Sequence, residues 1–181
     1  MFHSNTELLI DYWRSRRGDG ALPPRDRIDP ADFAGLLPRT FIAIGDGQGG
    51  WRFRLAGEAI NDLHGRSLSD EPLAPLWRPD HRRHLAAALE ASLRTAAPVV
   101  IGAEGRADDE SVHRLEILFA PLAGPDGRAD RFLGLYQPTG PIARWMRRPL
   151  RELVIVSVNG AQSRPNAPGL RLAVVDGRRI A

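Results

Sequence analysis

Between Pro98 and Pro138 the chain alternates three apolar runs with two turn-rich breaks, and this punctuation limits the fold more than any other feature. The runs are "PVVIGAEG", "SVHRLEILFAPL" and "ADRFLGLYQP", and the breaks are "RADDE" and "AGPDGR". Runs bounded by Asp, Gly and Pro read as strands, and strands joined by turns this short pair antiparallel. In the middle run His113, Leu115, Ile117 and Phe119 share one face, while Val112, Arg114, Glu116 and Leu118 share the other.

Upstream, "TFIAIGDGQGGWRFRLAG" gives two further strand-like runs around a glycine-rich turn, a hairpin signal. The stretch "SNTELLIDYWRSRRG" carries Ser4 or Asn5 as N-cap, Glu7 in the first turn, and Leu8, Leu9, Tyr12 and Trp13 at helical spacing; Arg14, Arg16 and Arg17 suit the C-terminal end of the helix dipole. Asp29 and Pro30 open a short helical turn over Ala31 to Leu37. "EAINDLHG" is a short helix between Gly57 and Gly65, and the stretch after Pro79, with leucines at 85, 89 and 93, predicts the longest one. Helix, two strands, helices and three strands make an α+β domain: an antiparallel sheet of about five strands with helices on one face. After Gln137 the composition shifts. A basic segment, "PTGPIARWMRRPLRE", leads to strand-like runs "LVIVSV" and "LRLAVV", so the expected division is an amphipathic helix at 1–20, a domain at 21–138 and a basic linker with C-terminal extension at 139–181.

Charge sets aside one class of partner. The net charge is only +3, yet the isoelectric point is about 10.4, because all 25 basic residues are arginine. Steering toward polyanions is weak at this net charge, so an arginine-driven nucleic-acid binder is the last of the readings kept. With no cysteine, disulfides, thiolate nucleophiles and cysteine zinc sites are excluded. No run reaches the ~18 apolar residues that span a bilayer, and a cytoplasmic location is expected.

Catalytic signatures are missing where chemistry would need them. "GEAINDLHG" after a strand has neither the glycines of a dinucleotide fingerprint nor the lysine of a P-loop. "GDGQGG" lies between strands, away from any helix N-terminus. His81 and His84 share a helix face without a third ligand, and the "DDE" at 108–110 sits in a turn. No catalytic residue, metal site or cofactor is expected.

Four stretches, "YWRSRRGDGALPPRDRIDPADFAGLLPRTFI", "FRLAGEAINDLHGRSL", "RLEILFAPL" and "RFLGLYQP", in this order, resemble a PAS domain. More narrowly, they look like a subfamily of mostly stand-alone PAS proteins of alphaproteobacteria once catalogued as a domain of unknown function. The resemblance spans about Tyr12 to Pro138. It implies a non-enzymatic sensory or regulatory protein of bacterial signal transduction that dimerises and contacts histidine kinases or response regulators. It also implies, as the alternative, a small-molecule sensor with its ligand between sheet and helices. Lining positions for such a cavity are Ile60, Leu63, Leu68, Trp77, Leu89, Leu93, Leu115, Ile117, Phe119, Leu133 and Tyr136, with His64, His113 and Tyr136 as polar contacts; a filled core is the plainer reading of the same residues. For a homodimer, the expected interface is the stripe Leu8, Leu9, Tyr12 and Trp13, since an amphipathic helix must bury its apolar face somewhere. Trp145, amid arginines, is a second contact surface.

Overall fold

The computed structural model describes residues 1–140, 148–160 and 171–172 of the chain. The first hairpin forms from β1 (Thr40–Gly45) and β2 (Trp51–Ala56); Asp46 closes its turn by accepting hydrogen bonds from the backbone N–H of Gln48 and Gly50, both at 2.8 Å. The meander is β3 (Val99–Ala107), β4 (Val112–Ala123) and β5 (Ala129–Pro138). An estimate of about five strands stops there. The run "LVIVSV" lies within β6 (Leu150–Gly160), which pairs with β3, and β7 (Arg171–Leu172) pairs with β6. The antiparallel sheet runs β2-β1-β5-β4-β3-β6-β7, so the described part of the extension beyond Pro138 is continuous with the domain's sheet.

The helices are α1 (Ser4–Arg16), α2 (Glu58–His64) and α3 (Arg82–Thr95). The cap of α1 differs from the expected Ser4 or Asn5: His3 takes the position, its Nδ1 accepting from the Asn5 N–H at 3.2 Å. Asp29 caps the 3-10 turns of Pro30–Arg39 through the Ala31 N–H at 2.9 Å. Glycine at position 57 has a reason unconnected with phosphate. A Cβ there would be driven into the backbone carbonyls of Leu37 and Pro38, which have no side-chain freedom with which to retreat. The strand therefore turns into α2 only because the corner is bare.

Two apolar layers hold the sheet, one on each face. α2, α3 and the 68–77 segment cover the inner face, burying Ile60, Leu63, Leu85 and Leu89 against Ala103, Ile117, Phe119 and Ile155. On the outer face, α1 and the 30–39 turns bury Leu9, Ile10, Trp13, Phe33 and Leu36 against Val100, Leu118, Ala120, Leu122, Leu133 and Leu135. Two segments shield the sheet's edges, which would otherwise offer unpaired N–H and C=O groups. Along β2, the Phe53 N–H donates to Glu71 O at 2.9 Å and the Leu73 N–H to Trp51 O at 2.8 Å. Along β6, the Arg78 N–H donates to Leu153 O at 3.0 Å, and His81 Nδ1 accepts from the Ile155 N–H at 2.9 Å.

The middle of the inner layer is a lattice of edge-on rings. Phe41 lies 5.4 Å from Phe53, 5.3 Å from Phe119 and 5.8 Å from Tyr136, centroid to centroid. The Phe41 ring covers the backbone of Gly134, its register partner on β5, so closely that a Cβ at 134 would overlap ring carbons. Gly134→Ala is expected to cost about 2 kcal/mol, the usual scale of overpacking. Phe41→Leu in the same chain should recover about half of that; strictly additive losses in a double-mutant cycle of urea midpoints would refute the contact.

Candidate functional site

Among the described residues a groove and a recess open to the outside, and the sheet's cover explains both. β4 is buried on both faces from Ile117 to Ala123 but alternates exposed and buried over its first half. The change comes at Glu116, whose carboxylate accepts from the His3 N–H at 3.1 and 3.0 Å, where α1 begins. Beyond this point no helix among the described residues covers the outer face. A groove of about 760 Å³ opens there across β4, β3 and β6, floored by Gly102, Glu104, Arg114, Glu116, Ser157 and Asn159 and edged by Phe2 and Val156. Val112 and Val156, 49% and 41% exposed, add apolar surface near a polar row. Glu104 and Arg114 are direct cross-strand partners, 3.9 Å apart, and the Arg114 side chain is 80% exposed.

The second opening is a recess of about 390 Å³ where the end of α2 meets the start of β6. His64 lines it, and only 6% of that residue is exposed. Its Nε2 is buried without a hydrogen-bond partner among the described residues, and its ring stands edge-on to Tyr136 at 5.9 Å. Burial, with the positive charge of Arg66 as a smaller cause, pushes the imidazole pKa from 6.5 down to about 4, so the ring is neutral at pH 7. Burial also pushes the Tyr136 phenol upward.

The proposed cavity residues are mostly brought together. Ile60, Leu63, Leu68, Trp77, Leu89, Leu115, Ile117, Phe119 and Tyr136 form one inner layer, with Leu93 packed at its margin. His64 and His113 are also buried; the His113 Nε2 lies 3.3 Å from the Ser111 hydroxyl. Leu133 is a correction. It belongs to the outer layer with Leu135, because strand residues alternate and 133 and 136 differ by an odd number, which puts Leu133 opposite to Tyr136. The self-association stripe is corrected as well. Leu9 and Trp13, 0% and 1% exposed, are spent on the chain's own sheet, and Tyr12 packs edge-on to Phe33 at 5.1 Å. Leu8 alone of the four faces outward, half exposed. Trp145 lies outside the described residues. Among the described residues no group of three His, Asp or Glu side chains is placed to hold a metal ion, and no helix is long and apolar enough to cross a membrane.

The outer groove escapes a reading of the sequence that asks only for motifs. Its signal is nevertheless there: the alternate residues of "VIGAEGR" and "SVHRLE" turn polar on one side just where the apolar runs lose their two-sided character.

A family model described as a PAS domain matches residues 1–137. Among solved structures, the LOV protein of Rhodobacter sphaeroides aligns at 13% identity with a TM-score of 0.47, over 66% of this chain and 73% of its own. The PAS domain of a protein from Colwellia psychrerythraea aligns at 16% identity with a TM-score of 0.45, over 60% of this chain and 94% of its own. The dark structure of the blue-light photoreceptor Aureochrome1 LOV aligns at 11% identity with a TM-score of 0.46, over 63% and 85%. No curated protein matches the chain.

Proposed function

The chain belongs to the PAS domain family, whose model spans residues 1–137 of its 181, and from that membership we propose a non-enzymatic regulatory protein that works in the cytoplasm by self-association through its open outer sheet face. The observation that carries this reading is the groove beside α1, where, among the described residues, the sheet passes from a helix-covered face to one that no helix covers. A second copy suits it because the groove's charges alternate across the strands. Glu104, Arg114 and Glu116 place both signs within one patch, and a patch of this kind can face its own copy across a two-fold axis with acid against base. Coupling to a histidine kinase or response regulator would follow from the paired state, with the extension from 139 onward as the output.

Charge reversal tests the arrangement. Arg114→Glu and Glu104→Arg are each expected to weaken the dimer about tenfold or more, since each sets like charges against each other. Mixed in equal amounts, the two variants should recover most of the association, because each now carries the charge that the other lacks. Sedimentation velocity across a concentration series reads both results. Wild-type protein that stays monomeric throughout, or a mixture no tighter than either variant alone, refutes the proposal.

A further inference from the structure

Strand register lines up one polar row on the outer face of the sheet. Ser157 of β6 is the partner of Gly102 on β3, Gly102 of Glu116 on β4, and Glu116 of Gln137 on β5, and direct partners in antiparallel strands share a face. The neighbouring row, Val100, Leu118 and Leu135, is apolar and buried in the outer layer with Leu9 and Ile10. Only part of the polar row is open. Ser157, Gly102 and Glu116 line the groove, whereas Gln137 is 2% exposed. The first turn of α1 is the cover: the His3 N–H donates to the Glu116 carboxylate, and Asn5 Nδ2 donates to Gln137 Oε1 at 3.0 Å.

This turn is held differently from the rest of its helix. Leu9, Ile10 and Trp13 fix the later turns by apolar burial, while the first turn is fixed by hydrogen bonds to groups that water or another chain can satisfy as well. Gln137 keeps partners even without Asn5, since its Oε1 also accepts from Arg39 Nη1 at 3.0 Å and its Nε2 donates to Pro138 O at 2.7 Å. Thr6, between the two parts, works against closure. It is 0% exposed, and its Oγ1 has no hydrogen-bond partner among the described residues. A hydroxyl buried in that state carries a desolvation cost, which is relieved when the turn lifts and water reaches it. Met1 and Phe2, ahead of the turn, already stand at the groove's edge.

We propose that residues 1–7 are a strap, which lifts from Glu116 and Gln137 while the later turns of α1 stay seated, and that the lifted state presents the whole row, from Ser157 to Gln137, to a second copy of the chain. The inference rests on the self-association reading and adds its regulation: association selects the lifted strap, and whatever holds the strap down weakens association by the same free energy. Opening widens the face from three strands to four, since Gln137 lies on β5. The opening is local, because the apolar layer under Leu9, Ile10 and Trp13 stays closed.

Residue-resolved amide hydrogen exchange on the dilute full chain, with sedimentation velocity across a concentration series, tests both parts. The Glu7 N–H, bonded to His3 O at 3.0 Å, reports the strap, and the Trp13 N–H reports the seated end of α1. In the wild-type chain the Glu7 amide is expected to exchange at least about tenfold faster than that of Trp13. Thr6→Val keeps the shape and removes the orphan hydroxyl, and should slow Glu7 exchange about tenfold. Asn5→Ser, similar in helix propensity and too short to reach Gln137, should speed it about threefold. The dimer constant is expected to move with these rates, about tenfold weaker in Thr6→Val and about threefold tighter in Asn5→Ser, because only the lifted fraction associates. Equal Glu7 and Trp13 exchange rates, or a Glu7 rate unchanged by Thr6→Val, overturn the strap. Shifted rates with an unchanged dimer constant overturn its control of association. A chain that stays monomeric in all three forms refutes the self-association reading instead, and the exchange rates still decide the strap.

Discussion

Trp13→Ala is expected to remove about 3–5 kcal/mol of folding stability, the loss typical of a large buried aromatic cut back to a methyl group. Trp13 is 1% exposed, sits among Leu9, Ile28, Leu118 and Leu122 in the outer layer, and its indole N–H donates to Pro121 O at 2.7 Å. The substitution therefore opens a cavity and strips a buried carbonyl of its donor at the same time. A domain whose total stability falls in the usual range of about 5–15 kcal/mol would lose a large share of it. Urea unfolding followed by circular dichroism gives the measurement, with a strongly lowered midpoint as the expected result. Trp13→Phe keeps most of the apolar volume and should lose only about 1–2 kcal/mol, chiefly the hydrogen bond. If Trp13→Ala kept the wild-type midpoint and lost self-association instead, α1 would be an intermolecular helix and the outer layer as described would be wrong.

The fate of α1 shows how far the sequence can be read. Spacing gave Leu9 and Trp13 a common face, and the structure keeps it. Spacing alone does not say whether a stripe is satisfied by the same chain or by a second copy. A different signal answers that: "ILFAPL" and "FLGLY" are apolar at odd and even positions alike, the pattern of strands covered on both sides. A sheet with two apolar faces needs a second cover, and α1 with the turns after Asp29 is the part of the chain available to supply it. Leu133 follows the same logic, since its parity relative to Tyr136 assigns it to the outer layer. Gly57 and Gly65 were legible as corners, but the contacts that demand them, with Leu37 and Pro38 in one case and Pro149 in the other, join residues distant in sequence. The same holds for both openings. Each arises where one element stops covering another; for the groove the loss of two-sided apolar character in β3 and β4 marks the place, while the element that stops short there is a matter of tertiary geometry.

His64 yields the second large effect, an acid-sensitive term in stability. The unfolded ring titrates near 6.5 and the folded one near 4, so the folded state binds the proton more weakly. Where the unfolded state holds more protons, stability rises with pH. The contribution of His64 is thus complete above about pH 6.5 and is lost as pH falls toward 4, because the unfolded chain is stabilised by protonation before the native one can accept it. The difference amounts to about 3 kcal/mol across that window. The direction is opposite to that of a histidine held by a carboxylate, whose stability would be greatest in acid; here the groups around the ring are Arg66 and the burying wall that includes Tyr136, and both disfavour the charged form. His64→Phe keeps an aromatic ring against Tyr136 and removes the proton site. As pH is lowered from 7 to 4, the unfolding free energy from urea titrations should fall steeply for the wild-type chain and by about 3 kcal/mol less for this variant. Parallel curves for the two proteins would mean that the ring is solvated, and that the recess floor is not the closed surface that its burial and unpartnered nitrogen describe.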